Sequence, residues 1–354
     1  MQKMHVFKLS GQSKRSLILA FALIAALALA RGPRIAAQDT PLISGGAGLV
    51  TSTNGGNTTY IPIVSPLLAA PIGNHILVES RATILDSYFP KGGGQGYDSS
   101  SFVGLSYLQM DYLASTHLTI VAGQFLTPFG TYNERLTPIW IGNFESAPLI
   151  FPLGTMSTAS SVGGMIRGSA YSNNSVSLDY AGYFSARSTN QQFNAERSSG
   201  GRASLYLPNA RLEIGASYGR LLQGVHQNFE GIHVWWEPAD SLMKFRSEYA
   251  HGPHSQGYWI ESEFHLAGPS SGNAFLRGLQ PTFRWQQTFR SSPDSSDGLP
   301  SAETKRGDFG LDYHLPHEVR INSSYSRQFS STGNRNIWET GIVYRFLFPT
   351  WRGK

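Results

Sequence analysis

The sequence predicts an all-β fold, a closed antiparallel transmembrane β-barrel of about fourteen strands within a range of roughly twelve to sixteen. Three observations predict it. Charged residues make up only 14% and hydrophobic residues 40% of the 354-residue chain, with 38 glycines; a soluble domain carries about 25% charged residues. Beyond the N-terminus no stretch stays apolar for the roughly 18–20 residues that a spanning helix needs. Runs of about ten alternating residues recur instead, bounded by Gly, Pro, Asn, Asp and Ser. That pattern suits a sheet with lipid on one face and water on the other.

The N-terminus reads as a targeting segment. Lys3, Lys8, Lys14 and Arg15 precede an apolar run from Leu17 to Ala30, and small residues follow at Ala28, Ala30, Ala36 and Ala37. This is a secretory signal pattern. Cleavage is expected after Ala37, with Ala30 as the alternative site and an uncleaved anchor as the alternative reading. Residues 1–37 carry six basic and no acidic residues, so the remainder has 22 basic against 23 acidic. The positive charge of the whole chain therefore belongs to this segment and does not support nucleic-acid binding. The chain has no cysteine. In an exported protein this removes a disulfide framework and leaves stability to a closed sheet or a large core.

The clearest strands lie in the C-terminal half. Tyr258, Ile260, Phe264 and Leu266 share one face of their segment, and Trp259, Glu261, Glu263 and His265 share the other. Carboxylates cannot face lipid at mid-membrane, so the second face is wet. Met243, Phe245 and Tyr249 alternate with Lys244, Arg246 and Glu248 in the same way. Segments 308–315 and 319–329 repeat the logic. Looser candidates are 75–88, 102–113, 117–125, 161–171, 175–184, 202–207, 211–221, 229–237 and 280–289. Residues 38–74 read as an extended tail or a first hairpin around Asn54-Gly55-Gly56, because Pro62, Pro66 and Pro71 disfavour strands. The barrel is assigned to 75–348 and a tail to 349–354. Asn173-Asn174 and Pro208-Asn209-Ala210 read as tight turns. Segments 91–100, 187–200 and 290–305 read as longer polar loops.

The last strand carries the sharpest motif. Glu339, Gly341, Tyr344 and Phe346 stand in the order polar-x-Gly-x-x-aromatic-x-aromatic. Trp338, Thr340, Ile342, Tyr344, Phe346 and Phe348 make one lipid-compatible face, and aromatic ends settle at membrane interfaces. The pattern resembles the β-signal that barrel-assembly machinery recognises on a closing strand. That resemblance implies the outer membrane of a Gram-negative-type bacterium, with the lipid bilayer and that machinery as partners.

Residues 123–161 are the least periodic. Gly123-Gln124-Phe125-Leu126-Thr127-Pro128-Phe129-Gly130 ends a strand, and a segment of about thirty residues without period follows. Segments this long inside a compact domain are usually functional. The natural expectation is an inward loop, about 127–160, that narrows the lumen. The G-Q-F-x-x-P-F-G stretch resembles the strand-to-loop passage of porins of the phosphate-selective O/P type, and the resemblance extends over roughly residues 75–170 and the barrel ending. It implies a barrel and passive diffusion of small hydrophilic solutes or ions. The family's phosphate site uses clustered lysines and arginines, whereas Arg135 is the only basic residue of this loop. The fold and the channel role carry over, and the phosphate does not.

Lumen charge and constriction width set selectivity in such pores. The candidate lining residues are Glu134, Arg135, Glu145 and Arg167 near the loop, and Lys244, Arg246, Glu248, Glu261, Glu263, Arg284 and Arg345 on the wall. Their mixed signs argue for weak selectivity in a monomer or a trimer. Trp235, Trp236, Tyr258 and Trp259 read as wall packing or interfacial girdle. The alternatives are a lipase-like barrel enzyme, a plugged structural or adhesion barrel, and a soluble exported β-sandwich. No G-x-S-x-G elbow, helical H-x-x-x-H pair or phosphate cradle supports catalysis, so no cofactor or metal is expected.

Overall fold

The computed structural model describes residues 41–92, 96–151, 159–188, 197–223, 226–239, 241–268, 272–292 and 299–349. Residues 1–40, which include the expected signal segment, and residues 350–354 lie outside them. Among the described residues, sixteen strands close into one antiparallel barrel. They are β1 (Leu42–Asn54), β2 (Asn57–Ile72), β3 (Ile76–Pro90), β4 (Tyr97–Ser115), β5 (Leu118–Leu126), β6 (Ser160–Ser172), β7 (Ser177–Ser188) and β8 (Ser198–Leu207). The second half comprises β9 (Leu212–Leu221), β10 (Gln227–Trp236), β11 (Met243–His251), β12 (Ser255–Phe264), β13 (Leu279–Arg290), β14 (Thr304–Leu315), β15 (Val319–Ser330) and β16 (Arg335–Pro349). Each strand pairs with its sequence neighbours, and β1 pairs with β16 to close the ring. Closure removes the free edges that an open sheet exposes.

The expected count of about fourteen is corrected to sixteen. The fourteen candidate segments coincide with β3 to β16, and the additional pair is β1 and β2. Prolines argued against this hairpin, and the register shows how they are accommodated. The β1–β2 register is unbroken from 42↔69 to 54↔57. The β2–β3 register is interrupted at residues 61–62 and 65–66, where Pro62 and Pro66 have no N–H to donate. The strand pair turns on Gly55 and Gly56, with φ of 59° and 82°. Two positive φ values define the tight hairpin turn that matches strand twist, and glycine adopts them without strain.

Period-two alternation decides the faces. Large apolar side chains such as Ile84, Ile166, Ile232 and Phe309 stand on the outer face, where Ile232 is 59% exposed. Their inward neighbours are polar over much of the ring, with Glu213, His233, Arg246, Glu261, Arg284, Asp308 and Asn322 on the inner face of β9 to β15. The inner face of β2 to β5 differs, for it carries Ile61, Ile63, Leu85, Phe102 and Val121.

One rim carries the described chain ends and the connections after the even-numbered strands. The turns at 173–176 and 208–211 lie there. β3, β7 and β13 end at the opposite rim, where the segment after β5 also begins; residues 93–95, 189–196 and 293–298 of the expected polar loops lie outside the described residues. One buried apolar cluster, Val121, Phe125, Met165 and Tyr183, lies on β5 to β7, and the larger one is the seam between the segment after β5 and the inner wall. Phe129, Leu136, Ile150 and Phe151 pack there with Leu221, Phe229, Ala250 and Trp259.

Candidate pore constriction

The segment after β5 turns into the barrel. Its neck is narrow. The Thr127 N–H donates to the Ala159 carbonyl at 3.0 Å, and the Thr127 and Ser161 hydroxyls are 2.9 Å apart. The buried Asn133 amide closes the neck by donating to the carbonyls of Thr127 and Ala159. A single π-helical turn, Tyr132–Leu136, follows Gly130. Gly130 has φ 62° and lies against the Glu248 carboxylate, so only glycine suits it.

Backbone donors at this turn need partners once buried. Glu248 supplies them from β11. Its carboxylate accepts from the N–H and hydroxyl of Thr131 and from the Tyr132 N–H at 2.8 Å. Arg135 reaches Glu213 of β9 through two hydrogen bonds, 2.8 and 3.0 Å long. Glu213 also lies 3.3 Å from the Nε2 of His233. Arg202 of β8 donates to the Gly130 carbonyl at 2.6 Å and pairs with Glu134 at 2.6 Å. Arg135 and Arg246 lie over the Trp235 ring at 5.3 and 4.8 Å.

Residues 139–150 of the loop lie along β12 to β16 and β1. Asn143 donates to Glu261 and Glu263 and accepts from Gln280. Arg284 and Arg306 donate to the Ser146 carbonyl and hydroxyl, and Arg320 donates to the Ile139 carbonyl. The Leu149 N–H donates to Gln286 at 2.6 Å, and Asn322 donates to Glu145. Burial pushes the Glu145 carboxyl up from the usual carboxylate range, against the opposing pull of Asn322 and Arg320. Beneath the loop, charges alternate across the strands. Lys244 and Arg246 pair with Glu263, Arg246 and Arg284 flank Glu261, and Arg284 and Arg306 both pair with Asp308 at 2.8 Å. A buried charge is tolerated when paired and hydrogen-bonded in this way.

Inward glycines make room for the loop. A Cβ on Gly46 would stand 2.5 Å from the Trp140 ring, one on Gly231 3.0 Å from Phe129, one on Gly257 3.0 Å from Ile150, and one on Gly310 3.0 Å from Phe144. Gly341 lies against Glu145.

Among the sequence-derived lining residues, Arg246, Glu248, Glu261, Glu263 and Arg284 face inward but are buried beneath the loop. Lys244 and Arg167 keep 34% and 39% of their side chains accessible. Arg167 pairs with Asp111 of β4, on the part of the wall opposite the loop's seat. Arg345 lies at the rim that bears the chain ends, 3.7 Å from Glu318. Trp235 and Trp259 face inward, with Trp259 edge-on to Tyr132, whereas Trp236 and Tyr258 face outward. Sequence reasoning missed Arg202, Glu213, Asn143, Arg306 and Asp308. The signal for them was the inward glycines, which alternate with outward apolar residues in Leu212–Leu221 and mark where something must pack closely. No group of three His, Asp or Glu side chains is arranged to hold a metal ion among the described residues.

The chain matches no protein-family model and no curated protein by sequence. Solved structures do match. A loop L8 deletion mutant of OmpT, an outer membrane protein of Vibrio cholerae, superposes with TM-score 0.55 at 9% identity, over 87% of this chain and 100% of that one. OmpF of Salmonella typhi in complex with daunomycin gives 0.55 at 13% identity, over 88% and 99% of the two chains. The fold is that of outer-membrane porins. An anion-selective porin from Comamonas acidovorans gives 0.51 at 8% identity, over 87% and 99%. At these identities the likeness concerns the barrel alone, and the inward loop's anchoring residues come from this chain.

Proposed function

We propose that this chain is an outer-membrane porin through which small hydrophilic solutes or ions diffuse passively, with weak selectivity. One observation carries the reading. A closed barrel holds a long loop inside it, clamped against β8 to β16 and β1 by ion pairs, hydrogen bonds and close packing on inward glycines. A loop fixed to one part of the wall narrows a lumen to a set width without closing it by motion. The outward apolar belt supports a membrane setting, because water-exposed side chains of that size carry a cost of about 25 cal/mol per Å² that lipid removes.

The division of labour among the charged residues follows. Arg246, Glu248, Glu261, Glu263 and Arg284 act as loop anchors. Arg167, with Asp111 and Glu79, and the accessible part of Lys244 bias the charge of permeating ions. These groups have both signs, which supports weak rather than strong ion preference. Glu339, Gly341, Tyr344 and Phe346 on β16 serve as the signal for barrel assembly at the strand that closes on β1. The deciding experiment is single-channel conductance of the purified protein in a planar bilayer under a salt gradient. Discrete steps with a small reversal potential support the reading. A heat-modifiable barrel that inserts and passes no current overturns it in favour of a plugged or enzymatic barrel.

A further inference from the structure

We propose that β2, β3 and β4 carry a lumen-facing subsite for organic anions with an apolar body. The inference rests on the channel reading above and names a solute class for it. The register aligns Ile63, Leu85 and Phe102 in one row across the three strands, all on the inner face. Apolar side chains on the inner wall of a water-filled barrel are unusual, because that face is ordinarily polar. Phe102 is 42% exposed. The tip of its ring reaches over Gly104, where a Cβ would stand 2.5 Å from the ring, so the missing side chain of the glycine makes room for it.

Four residues further along β3, about 13 Å at the usual strand rise, a second row holds Arg81 beside Tyr107. The Phe102 ring folds toward this row. Arg81 is 4% exposed, and its guanidinium lies over the Tyr107 ring at 5.3 Å. Cation–π stacking orients a guanidinium but leaves its charge in place. No carboxylate pairs with Arg81 among the described residues, whereas Arg135, Arg246 and Arg284 each have one. A buried charge without a counter-charge destabilises a fold, and its presence here points to an anion supplied from outside the chain. A β-bulge between Arg81 and Ala82 marks the same place, and bulges re-aim side chains next to functional sites. An apolar surface leading to an unpaired guanidinium fits a solute whose ring or short hydrocarbon body ends in one negative charge.

The test is current block in a planar bilayer by three matched probes. Benzenesulfonate has both features, methanesulfonate has the charge without the body, and benzyltrimethylammonium has the body with the opposite charge. Saturable block by benzenesulfonate is expected, with each of the other two weaker by about tenfold or more. Arg81→Gln should weaken benzenesulfonate block about tenfold, as loss of a charge-assisted contact does. Phe102→Ala should weaken it several-fold while the unit conductance in salt alone reports an intact barrel, so the idea stays testable where Arg81→Gln does not fold. Equal block by all three probes, or block unchanged in a conducting Phe102→Ala protein, overturns the subsite and leaves the channel reading standing. A wild-type protein that conducts nothing in salt alone overturns both.

Discussion

Arg135 of the inward loop holds Glu213 of β9 through two parallel hydrogen bonds of 2.8 and 3.0 Å. The two residues are 78 positions apart in the chain, and the contact joins the loop's first turn to the barrel wall. Paired donors on a planar guanidinium fix orientation as well as distance. The arrangement makes the loop a part of the wall. Glu213→Gln should cost about 1 kcal/mol in unfolding by urea, a modest loss because the Arg135 side chain is partly exposed. Its larger effect should be in single-channel records, where open-state current noise is expected to rise. Noise equal to wild type would mean that the pair does not hold the loop.

Glu248 should matter more. It is buried and satisfies three donors of Thr131 and Tyr132 at once. Glu248→Ala leaves those donors unpaired, which costs about 2–3 kcal/mol. Limited proteolysis of the detergent-solubilised protein should then cut within 127–151, a segment that the wild type protects.

The space under Trp140 gives a steric prediction. Gly46→Val places side-chain atoms where the indole ring lies, and overpacking of this kind costs about 1–3 kcal/mol. The loop should shift from β1 and the unit conductance should change. The double variant Gly46→Val with Trp140→Ala should restore the urea midpoint toward wild type, which isolates the contact from any general effect of valine in β1.

A pH dependence follows from Glu145, which lies on the loop between strands. Burial raises its carboxyl above the ordinary value of 4.5. A carboxyl raised in the folded state is best accommodated neutral. Its contribution to seating the loop is complete below the ordinary value and is lost as pH rises through the elevated one. Unit conductance should therefore change as pH is raised through the range above 4.5, and Glu145→Gln, neutral throughout, should flatten that change. A change that persists unaltered in the variant would assign it to another group.

The two faces of the wall predict opposite responses to the same residue. Ile232→Lys puts an ammonium on the outer belt, and a lysine on the lipid face costs about 2–4 kcal/mol near the bilayer midplane. Thr83→Lys puts it on the inner face of β3 and should cost far less. Urea-induced unfolding from lipid vesicles measures both, and similar losses would refute the assignment of faces.

The faces were legible in the sequence because alternation is local. Glu261 and Glu263 on one side and Ile260 and Phe264 on the other need only a two-residue period to be sorted, and β11 to β16 follow that sorting. The hairpin of β1 and β2 is not decided by local sequence, because a proline's effect depends on which neighbour its missing donor would have met. That is known only once β1 and β3 are both in place. Glu213 and Asp308 are not distinguished by their own residue type, since each is one inward acidic residue among several, and only the neighbouring inward glycines mark a wall that something packs against.

The sequence alone determined that this chain forms a barrel with an apolar exterior, a polar interior and a long irregular segment after Leu126. Side-chain period and turn chemistry act over a few residues and suffice for that. Only the tertiary structure decided which inward residues meet the lumen and which lie beneath the loop. Contacts such as Asn143 with Glu261 and Arg284 with Ser146 span more than a hundred positions, and the path of a loop through a lumen is set by where on the closed wall its donors find acceptors. The pairing of β3 with β4 brought Phe102, Tyr107 and Arg81 onto one inner surface, a neighbourhood that exists only after these two strands have taken their register.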